Sequence, residues 1–266
     1  MSALTIAHLS DIHYGPNDTG VISTMLREQG VFVEKLIPVC LDHLKIAKPD
    51  IILITGDLTH DGETADYEYL KSLFTEALPD TPVFCTIGNH DIRSAFRQGF
   101  LNEPASDAPY YASMIHNGYQ FISLDSSYEK GLLGVFTDEA MDFLEQALKN
   151  TEVKGNFLFM HHPIMDHARH LRFVMNDRLE QILKSGAITA IFNGHVHGCY
   201  CSTVYGVPQF TAESLKSNFD IRSDRLSYSD RSGYQIITFE ENGDYLTERF
   251  LLNPTPQIFI DRPYKK

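Results

Sequence analysis

Short runs of apolar residues alternate along the chain with segments that carry apolar side chains at helical spacing. The runs are rich in β-branched and aromatic residues and are bounded by turn residues, which is typical of strands buried on both faces. They lie at residues 3–9, 50–55, 82–87, 119–124, 156–161 and 188–193. The pattern predicts strands in the interior of the protein.

Between these runs, apolar residues recur every three or four positions, as they do in amphipathic helices, at residues 31–47, 64–77 and 137–149. Pro38 must start, kink or interrupt the first helix, because proline has no backbone N–H to donate. Thr137 is placed to cap the third. Strand and helix therefore alternate to about residue 200, which predicts an α/β fold with parallel strands and helical crossovers.

The pattern changes after about residue 200. The segment GYQIITFEENGDYLTERFLL (233–252) predicts a β-hairpin that turns at Asn242 and Gly243. No clear linker interrupts the chain. We therefore expect one domain over residues 1–266, with a β-rich segment from about residue 200.

The charge and the cysteine content exclude some classes of partner. The formal net charge of −13 disfavours a nucleic acid polymer, which is bound by clustered Lys and Arg. The four cysteines are too few for a dense disulfide framework, so we expect reduced thiols. The N-terminus has no basic n-region, and no apolar run approaches the ~18 residues of a membrane span. These features predict a cytoplasmic protein without a membrane partner.

Metal-ligand side chains follow almost every apolar run. In an open α/β sheet such residues converge at the carboxyl ends of the strands. Imidazole, carboxylate and amide groups suit ions such as Mn, Fe, Zn or Co, and the set is too large for one ion. A bridging carboxylate with about three further ligands per ion would hold two. The residues are Asp11, His13, Asp57, Asn89, His90, Asp91, Asp125, His161, His162, His195 and His197.

Two glycines accompany these residues, and we expect Gly56 and Gly194 to adopt positive φ, which glycine does without penalty. The alternative for the whole set is an ordinary collection of caps and turn residues, since Asp, Asn and Gly are common at strand ends. The metal site is favoured because most of these residues fall into five short sequence blocks, given below, that follow one another in a fixed order.

The ordered blocks D-x-H, G-D, G-N-H-D, H-H-P and G-H-x-H resemble those of the calcineurin-like metallophosphoesterase superfamily, over roughly residues 5–200. The stretches GNHDIRSAF, LDSS and GVFTDEAMDFLEQAL are most similar to the bacterial class III cyclic-nucleotide and glycerophosphodiester phosphodiesterases. The resemblance implies a four-layer α/β/β/α sandwich of two mixed sheets flanked by helices. It also implies hydrolysis of a small phosphodiester by a water or hydroxide held between two divalent ions, with Mn and/or Fe favoured over Zn, Co or Mg.

Carried over block by block, the resemblance assigns a role to each residue. One metal would be held by Asp11, His13 and His197, and the second by Asn89, His161 and His195. Asp57 would bridge them. His90 would contact phosphate and protonate the leaving oxygen. The chain departs from the family where relatives usually read G-D-L-T-D, because it has His60, either a residue that supports a ligand or a surface substitution.

The remaining polar candidates have weaker signals. Asp91 and Asp125 are expected either to accept N–H groups of the histidines or to serve as ordinary turn residues, and His162 to pack or hydrogen-bond. Basic residues after two of the blocks would either line the substrate entrance or lie on the surface; these are Arg93, Arg97, His167, Arg169, His170 and Arg172. The alternatives to a phosphodiesterase are a phosphomonoesterase or nucleotide-sugar pyrophosphatase of the same superfamily, a nuclease, and a scaffold that has lost its chemistry.

Overall fold

The structure is a computed structural model that describes residues 3–127, 131–167, 171–221, 225–253 and 255–263. Its strands are β1 (Leu4–Leu9), β2 (Ile51–Thr55), β3 (Val83–Thr86), β4 (Tyr111–His116), β5 (Tyr119–Leu124), β6 (Asn156–Phe159), β7 (Ala190–Asn193), β8 (Tyr200–Val204), β9 (Val207–Thr211), β10 (Asn218–Ile221), β11 (Arg225–Ser229), β12 (Gly233–Phe239), β13 (Tyr245–Leu251) and β14 (Ile258–Pro263). Its helices are α1 (Val21–Glu28), α2 (Val33–Ala47), α3 (Thr64–Ala77), α4 (Arg93–Phe96), α5 (Asp138–Ala147) and α6 (Asp177–Lys184), and a π-helical turn (Arg97–Leu101) follows α4.

Two large mixed sheets form the centre of the protein. The first has five strands in the order β13-β12-β1-β2-β3, and the second has six in the order β4-β5-β6-β7-β9-β8. β1, β2 and β3 are parallel, as are β5, β6 and β7. Helices connect these parallel neighbours, as expected from right-handed crossover topology. The predicted parallel strands with helical crossovers are therefore confirmed in both sheets.

The apolar side chains sort into three layers of core. Alternate residues of the parallel strands point to opposite faces, as the period of two requires. One set fills the space between the two sheets and includes Ile6, Leu53, Phe157, Phe159, Phe192 and Phe210. The other sets pack α2 and α3 onto the first sheet, and α5 and α6 onto the second. The predicted four-layer sandwich of two mixed sheets is confirmed.

The predicted helices agree with the structure within a few residues. α2 continues through Pro38, which neither starts nor ends it and removes only the hydrogen bond that its N–H would make one turn earlier. Thr137 caps α5 by accepting the Ala140 N–H at 3.3 Å. None of the helices in the described ranges has the length and apolar character that a membrane span requires.

The elements after residue 200 in the described part of the chain are strands. The predicted hairpin is confirmed, because β12 and β13 pair with Phe239 opposite Tyr245 and Gly243 has a φ of 91° in the turn. β10, β11 and β14 form a third, three-stranded sheet that the sequence pattern does not predict. This small sheet lies against the site described next.

Candidate metal centre

The predicted ligands meet because the loops that follow the strands lie side by side. The loop after β1 bonds to the loop after β2, through His13 N to Asp57 O at 2.9 Å and Tyr14 N to Leu58 O at 3.0 Å. The loop after β2 bonds in turn to the loop after β3, through Asp61 N to His90 O at 3.0 Å. Asp11, His13, Asp57, Asn89, His161 and His195 are all buried at this junction.

The backbone of the candidate ligands is unusual. Asp11, His13, Asp57, His195 and His197 have φ between 46° and 71°. Each residue other than glycine in this region costs about 1–3 kcal/mol, so such residues persist where the surrounding structure holds them for a purpose. Five of them at one junction indicate a functional site.

The prediction of positive φ is correct for Gly56 and wrong for Gly194. Gly56 has a φ of 94°, as predicted. Gly194 is not among the residues with positive φ, and it is needed for space instead. A Cβ at Gly194 would lie 2.5 Å from Asp11 Oδ2 and still closer to Ser10 Oγ. The left-handed backbone conformation is instead adopted by His195 and His197, which follow Gly194 in the chain.

The first group of ligand atoms comes from Asp11, His13 and His197, all within 4.8 Å of one another. The two Nε2 atoms of His13 and His197 are 3.0 Å apart. Asp11 Oδ1 lies 3.4 Å from His197 Nε2 and 3.9 Å from His13 Nε2. One carboxylate and two imidazoles therefore face a common point.

The second group comes from Asp57, His161 and His195, with the same 4.8 Å limit. His195 Nδ1 lies 3.2 Å from His161 Nε2. Asp57 Oδ2 is 3.2 Å from His161 Nε2 and 3.5 Å from His13 Nε2. A single carboxylate oxygen therefore reaches a histidine of each group, which is the position that a bridging ligand needs.

Backbone carbonyls fix the orientation of three of the four histidines. The Nδ1–H of His161 donates to Thr55 O at 2.7 Å, and the Nδ1–H of His197 donates to Ser217 O at 2.8 Å. The Nε2–H of His195 donates to Leu132 O at 3.1 Å. Because a carbonyl only accepts, the proton must be on that nitrogen, and the opposite nitrogen is left with a free lone pair.

The donor set fits two divalent cations. When both rings are neutral, the lone pairs of His161 Nε2 and His195 Nδ1 face each other across 3.2 Å, where one cation would accept both. Asn89 Oδ1 is buried without a hydrogen-bond partner in the described structure, so its lone pairs are also free to bind a cation. The N and O donors match borderline divalent ions. Asn89 lines the same cavity as Asp57 and His195.

The electrostatics of the site agree with this assignment. Burial lowers the pKa of His195 to about 3, which keeps the ring in the neutral form that binds metals. Burial also opposes protonation of His161, but the carboxylates of Asp57 and Asp11 outweigh it and raise the pKa to about 9. The strong negative potential at His161 is one that a cation would offset.

His90 and His60 border the same cavity. The rings of His60 and His90 are stacked, with centroids 4.4 Å apart and planes 24° apart. His60 Nδ1 lies 3.3 Å from His13 Nδ1, so His60 contacts a candidate ligand and is not a surface substitution. The cavity of about 440 Å³ is lined by these residues and by members of both groups of ligands, His13 and His197 from the first and Asp57 and His195 from the second.

Two of the predicted supporting residues have other partners. Asp91 accepts the N–H of Gly88 at 2.8 Å and of Thr59 at 3.1 Å, and Asp125 pairs with Arg93 at 2.8 Å. Of the two alternatives, acceptance of histidine N–H groups is wrong, and the turn role agrees with the structure, because both carboxylates accept backbone N–H groups in the loops between the strands. His162 hydrogen-bonds Ser126 Oγ at 2.9 Å, as expected for a packed histidine.

Other residues of the cavity wall carry no signal in the sequence pattern. Lys216 is buried and donates to Asp18 Oδ2 at 3.0 Å and to Ser23 Oγ at 2.7 Å. Phe219 of β10 packs on His197 with ring centroids 4.7 Å apart. Arg172 instead donates to Asp166 O at 2.7 Å, while Arg169 and His170 lie outside the described residues.

Comparisons with known proteins agree with this geometry. A sequence profile described as calcineurin-like phosphoesterase matches residues 4–199. The chain is 31% identical over 242 residues to a probable cyclic nucleotide phosphodiesterase of Rhodococcus erythropolis, which covers 86% of this chain and 77% of the relative. It is 29% identical to a probable glycerophosphodiester phosphodiesterase of Arcobacter nitrofigilis, over 63% of this chain and 64% of that protein.

The fold is also similar to that of a dimetal phosphatase from Danio rerio. The structures superpose with a TM-score of 0.58 at 13% identity, over 85% of this chain and 95% of the other. At this identity, the similarity concerns the fold alone.

Proposed function

This chain belongs to the calcineurin-like phosphoesterase family, and from that premise we propose that it is a dinuclear-metal phosphodiesterase that hydrolyses small phosphodiesters of the cyclic nucleotide or glycerophosphodiester type. Relatives named for both substrates match it over most of its length. The observation that carries the proposal is the position of Asp57 Oδ2, within 3.5 Å of a histidine in each ligand group. A mononuclear site would not need this shared oxygen.

In the proposed centre, Asp11, His13 and His197 would hold one cation, Asn89, His161 and His195 would hold the other, and Asp57 would serve both. Two cations bound there would offset charge on the phosphoryl oxygens and lower the pKa of an attacking water. The chain's own contribution is to orient the histidines through carbonyls of β2 and nearby loops. We propose Mn and/or Fe on the basis of the family resemblance, and the nitrogen and oxygen donors without thiolates are compatible with these ions.

His90 is the proposed general acid. Its backbone N–H donates to Asp57 Oδ1 at 2.9 Å, so the bridging carboxylate also fixes the loop that carries His90. The His90 carbonyl accepts the N–H of Asp61 at 3.0 Å, and the ring is stacked on His60. The His90 ring lines the cavity, where it would donate a proton to the departing alkoxide oxygen.

The charges around the cavity favour a diester over a monoester. A monoester dianion carries an additional negative charge, which calls for additional cationic side chains. Lys216 is the one Lys or Arg among the described residues that line the cavity, and Asp18 already neutralises it at 3.0 Å. Arg93 and Arg97 are paired with Asp125 and Glu103.

The proposed partner is a small phosphoester, and the net charge of −13 disfavours a nucleic acid polymer. A cytoplasmic location and a single domain stay predictions from the sequence.

The test compares two substrates on one Mn-loaded preparation at neutral to mildly alkaline pH. We expect kcat/KM for bis(p-nitrophenyl) phosphate to exceed that for p-nitrophenyl phosphate. An Asp57→Ala variant purified in parallel should lose both activities, which assigns them to this chain. The opposite order of kcat/KM would move the assignment to a monoesterase of the same family.

A further inference from the structure

The second ring nitrogen of His13 faces a side chain, whereas those of the other three histidine ligands face backbone carbonyls. His13 Nε2 points into the site, 3.0 Å from His197 Nε2 and 3.5 Å from Asp57 Oδ2. Its Nδ1 lies 3.3 Å from Nδ1 of His60. His60 therefore occupies the place that a carbonyl occupies for each of the others.

We propose that His60 is a positioning residue for His13, whose Nδ1–H it accepts and whose Nε2 it thereby keeps free to bind a cation. This inference rests on the proposed dinuclear centre. A neutral imidazole has one N–H and one lone pair, so His13 can bind a cation through Nε2 only if its proton is on Nδ1. That proton requires an acceptor, and the nitrogen that faces it is Nδ1 of His60.

The surrounding structure fixes His60 in this position. Its backbone N–H donates to Tyr14 O at 3.0 Å, and the next residue, Asp61, donates to His90 O at 3.0 Å. The loop of His60 is therefore anchored to the loop of His13 on one side and to the loop of His90 on the other. The stacking of the His60 ring on His90, with centroids 4.4 Å apart, restricts rotation of the ring.

The same chain of donors extends to the substrate cavity. If His60 accepts with Nδ1, then its own proton is on Nε2, because the neutral ring has one N–H. His60 and His90 both line the cavity. His60 thus contacts the metal ligand His13 on one side and lies in the cavity wall beside the proposed general acid, His90, on the other.

A competing interpretation is a third cation among His13, His60 and His90, whose ligand atoms also lie within 4.8 Å of one another. It would require His13 to bind cations through both nitrogens and hence to lose its second proton. The carboxylates face Nε2, since Asp57 Oδ2 lies 3.5 Å from it and Asp11 Oδ1 lies 3.9 Å away. The proposal therefore predicts two bound ions, and the competing interpretation predicts three.

Four substitutions of His60, with one control variant, separate the positioning role from the third-cation interpretation. Oδ1 of Asn or Asp occupies the place of Nδ1 in His60, so His60→Asn and His60→Asp retain the acceptor. Gln places its oxygen one bond further out, and Ala has none, so His60→Gln and His60→Ala lose it. His116→Ala, on the edge strand β4, is the control for loss of a histidine away from the site.

The first experiment titrates metal-free full-length protein with Mn²⁺ by calorimetry, without substrate. We expect two ions to bind to the wild type and a loss of about 10–100-fold in affinity for one ion in His60→Ala and His60→Gln, the usual cost of losing such a partner. His60→Asn, His60→Asp and His116→Ala should stay within about threefold of the wild type, by the same reasoning. Equal Mn²⁺ affinities in His60→Asn and His60→Gln would overturn the proposal. Binding of a third ion to the wild type, lost in His60→Ala, would also overturn it.

The second experiment reads the proton on His13 directly. In Co²⁺-substituted protein, ring N–H protons of ligating histidines give paramagnetically shifted NMR signals that exchange with solvent. We expect His60→Gln to lose one signal by rapid exchange and His60→Asn to keep it. Retention of all signals in His60→Gln would overturn the inference while leaving the dinuclear centre intact. A wild type that binds fewer than two ions would instead overturn the proposed function, and the inference with it.

Discussion

Replacing Gly194 with alanine should disrupt the candidate metal centre without replacing any of its ligands. A Cβ there would lie 2.5 Å from Asp11 Oδ2 and 2.9 Å from Ser10 Cβ, whereas real Cβ contacts are essentially never below 3.0 Å. The Asp11 carboxylate or the backbone of residue 194 must therefore move by at least about 0.5 Å, the tolerance within which a catalytic site must be held. The closer contact with Ser10 Oγ requires a larger movement.

That movement acts on the ligand geometry directly. Asp11 accepts the backbone N–H of His195 through Oδ2 at 3.0 Å and through Oδ1 at 3.1 Å, and Oδ1 lies 3.4 Å from His197 Nε2. Because a misplacement of about 1 Å can cost about 10²-fold, we expect kcat/KM to fall by about two orders of magnitude. Overpacking of this kind should also lower the free energy of unfolding by about 1–3 kcal/mol.

The assay measures kcat/KM on bis(p-nitrophenyl) phosphate together with Mn²⁺ affinity and urea unfolding. Gly206→Ala is the matched control, because Gly206 lies between β8 and β9 with a φ of 88°, and a Cβ at this residue would meet nothing within 4 Å. It should lose about 1–2 kcal/mol of stability through backbone strain alone and keep normal activity. A Gly194→Ala variant with kcat/KM and Mn²⁺ affinity like those of Gly206→Ala would refute the reasoning.

Further predictions concern the ligands and the general acid. Asp57→Ala should lose bound metal and at least about 10³-fold in kcat/KM, since one unit charge pair at 4 Å contributes about 4 kcal/mol at an effective dielectric constant of about 20. If elemental analysis of this variant found two metals and its turnover were near normal, a bridging role for Asp57 would be excluded. Asn89→Ala should weaken retention of one ion only, and loss of both ions would contradict its assignment to one group. His90→Ala should reduce kcat by about 10²–10⁴-fold for an alkyl leaving group and much less for p-nitrophenolate, which needs no proton; equal losses would mean that His90 binds phosphate instead. Removal of metal by a chelator should lower the free energy of unfolding by about 2.7 kcal/mol for each of the two ions, relative to protein held at 100 times the dissociation constant. An unchanged melting temperature would argue against binding to the native state.

The sequence pattern predicts the alternation of strands and helices and the position of the site, and the family resemblance implies the four layers. The ends of parallel strands meet at one edge of a sheet, so Asp11 and Asp57, which follow β1 and β2, can be brought together from strand positions alone. His161 follows β6 of the second sheet, so its position beside them depends on how the two sheets pack. The distances from His161 Nε2 to Asp11 Oδ1, 4.0 Å, and to Asp57 Oδ2, 3.2 Å, therefore come from the structure and not from the sequence.

The details that the sequence does not reveal depend on side-chain space and on long-range register. A glycine in a motif can serve positive φ or close approach, and the letters alone do not distinguish Gly56 from Gly194. Phe219 reaches the site because β10 pairs with β11 and β11 with β14, where Tyr228 lies opposite Ile260. No motif or turn signal in these segments fixes that pairing. The contact between His60 and His13 likewise requires the loops to be in place.

The most direct measurement of the dinuclear centre is anomalous diffraction at the manganese edge from crystals of the Mn-loaded protein. We predict two peaks about 3.5–4 Å apart, the separation of two-metal sites, on either side of Asp57 Oδ2. One peak should contact Asp11, His13 and His197, and the other Asn89, His161 and His195. A single peak, or two peaks without a shared contact to Asp57, would contradict the dinuclear centre on which the proposed phosphodiesterase activity depends.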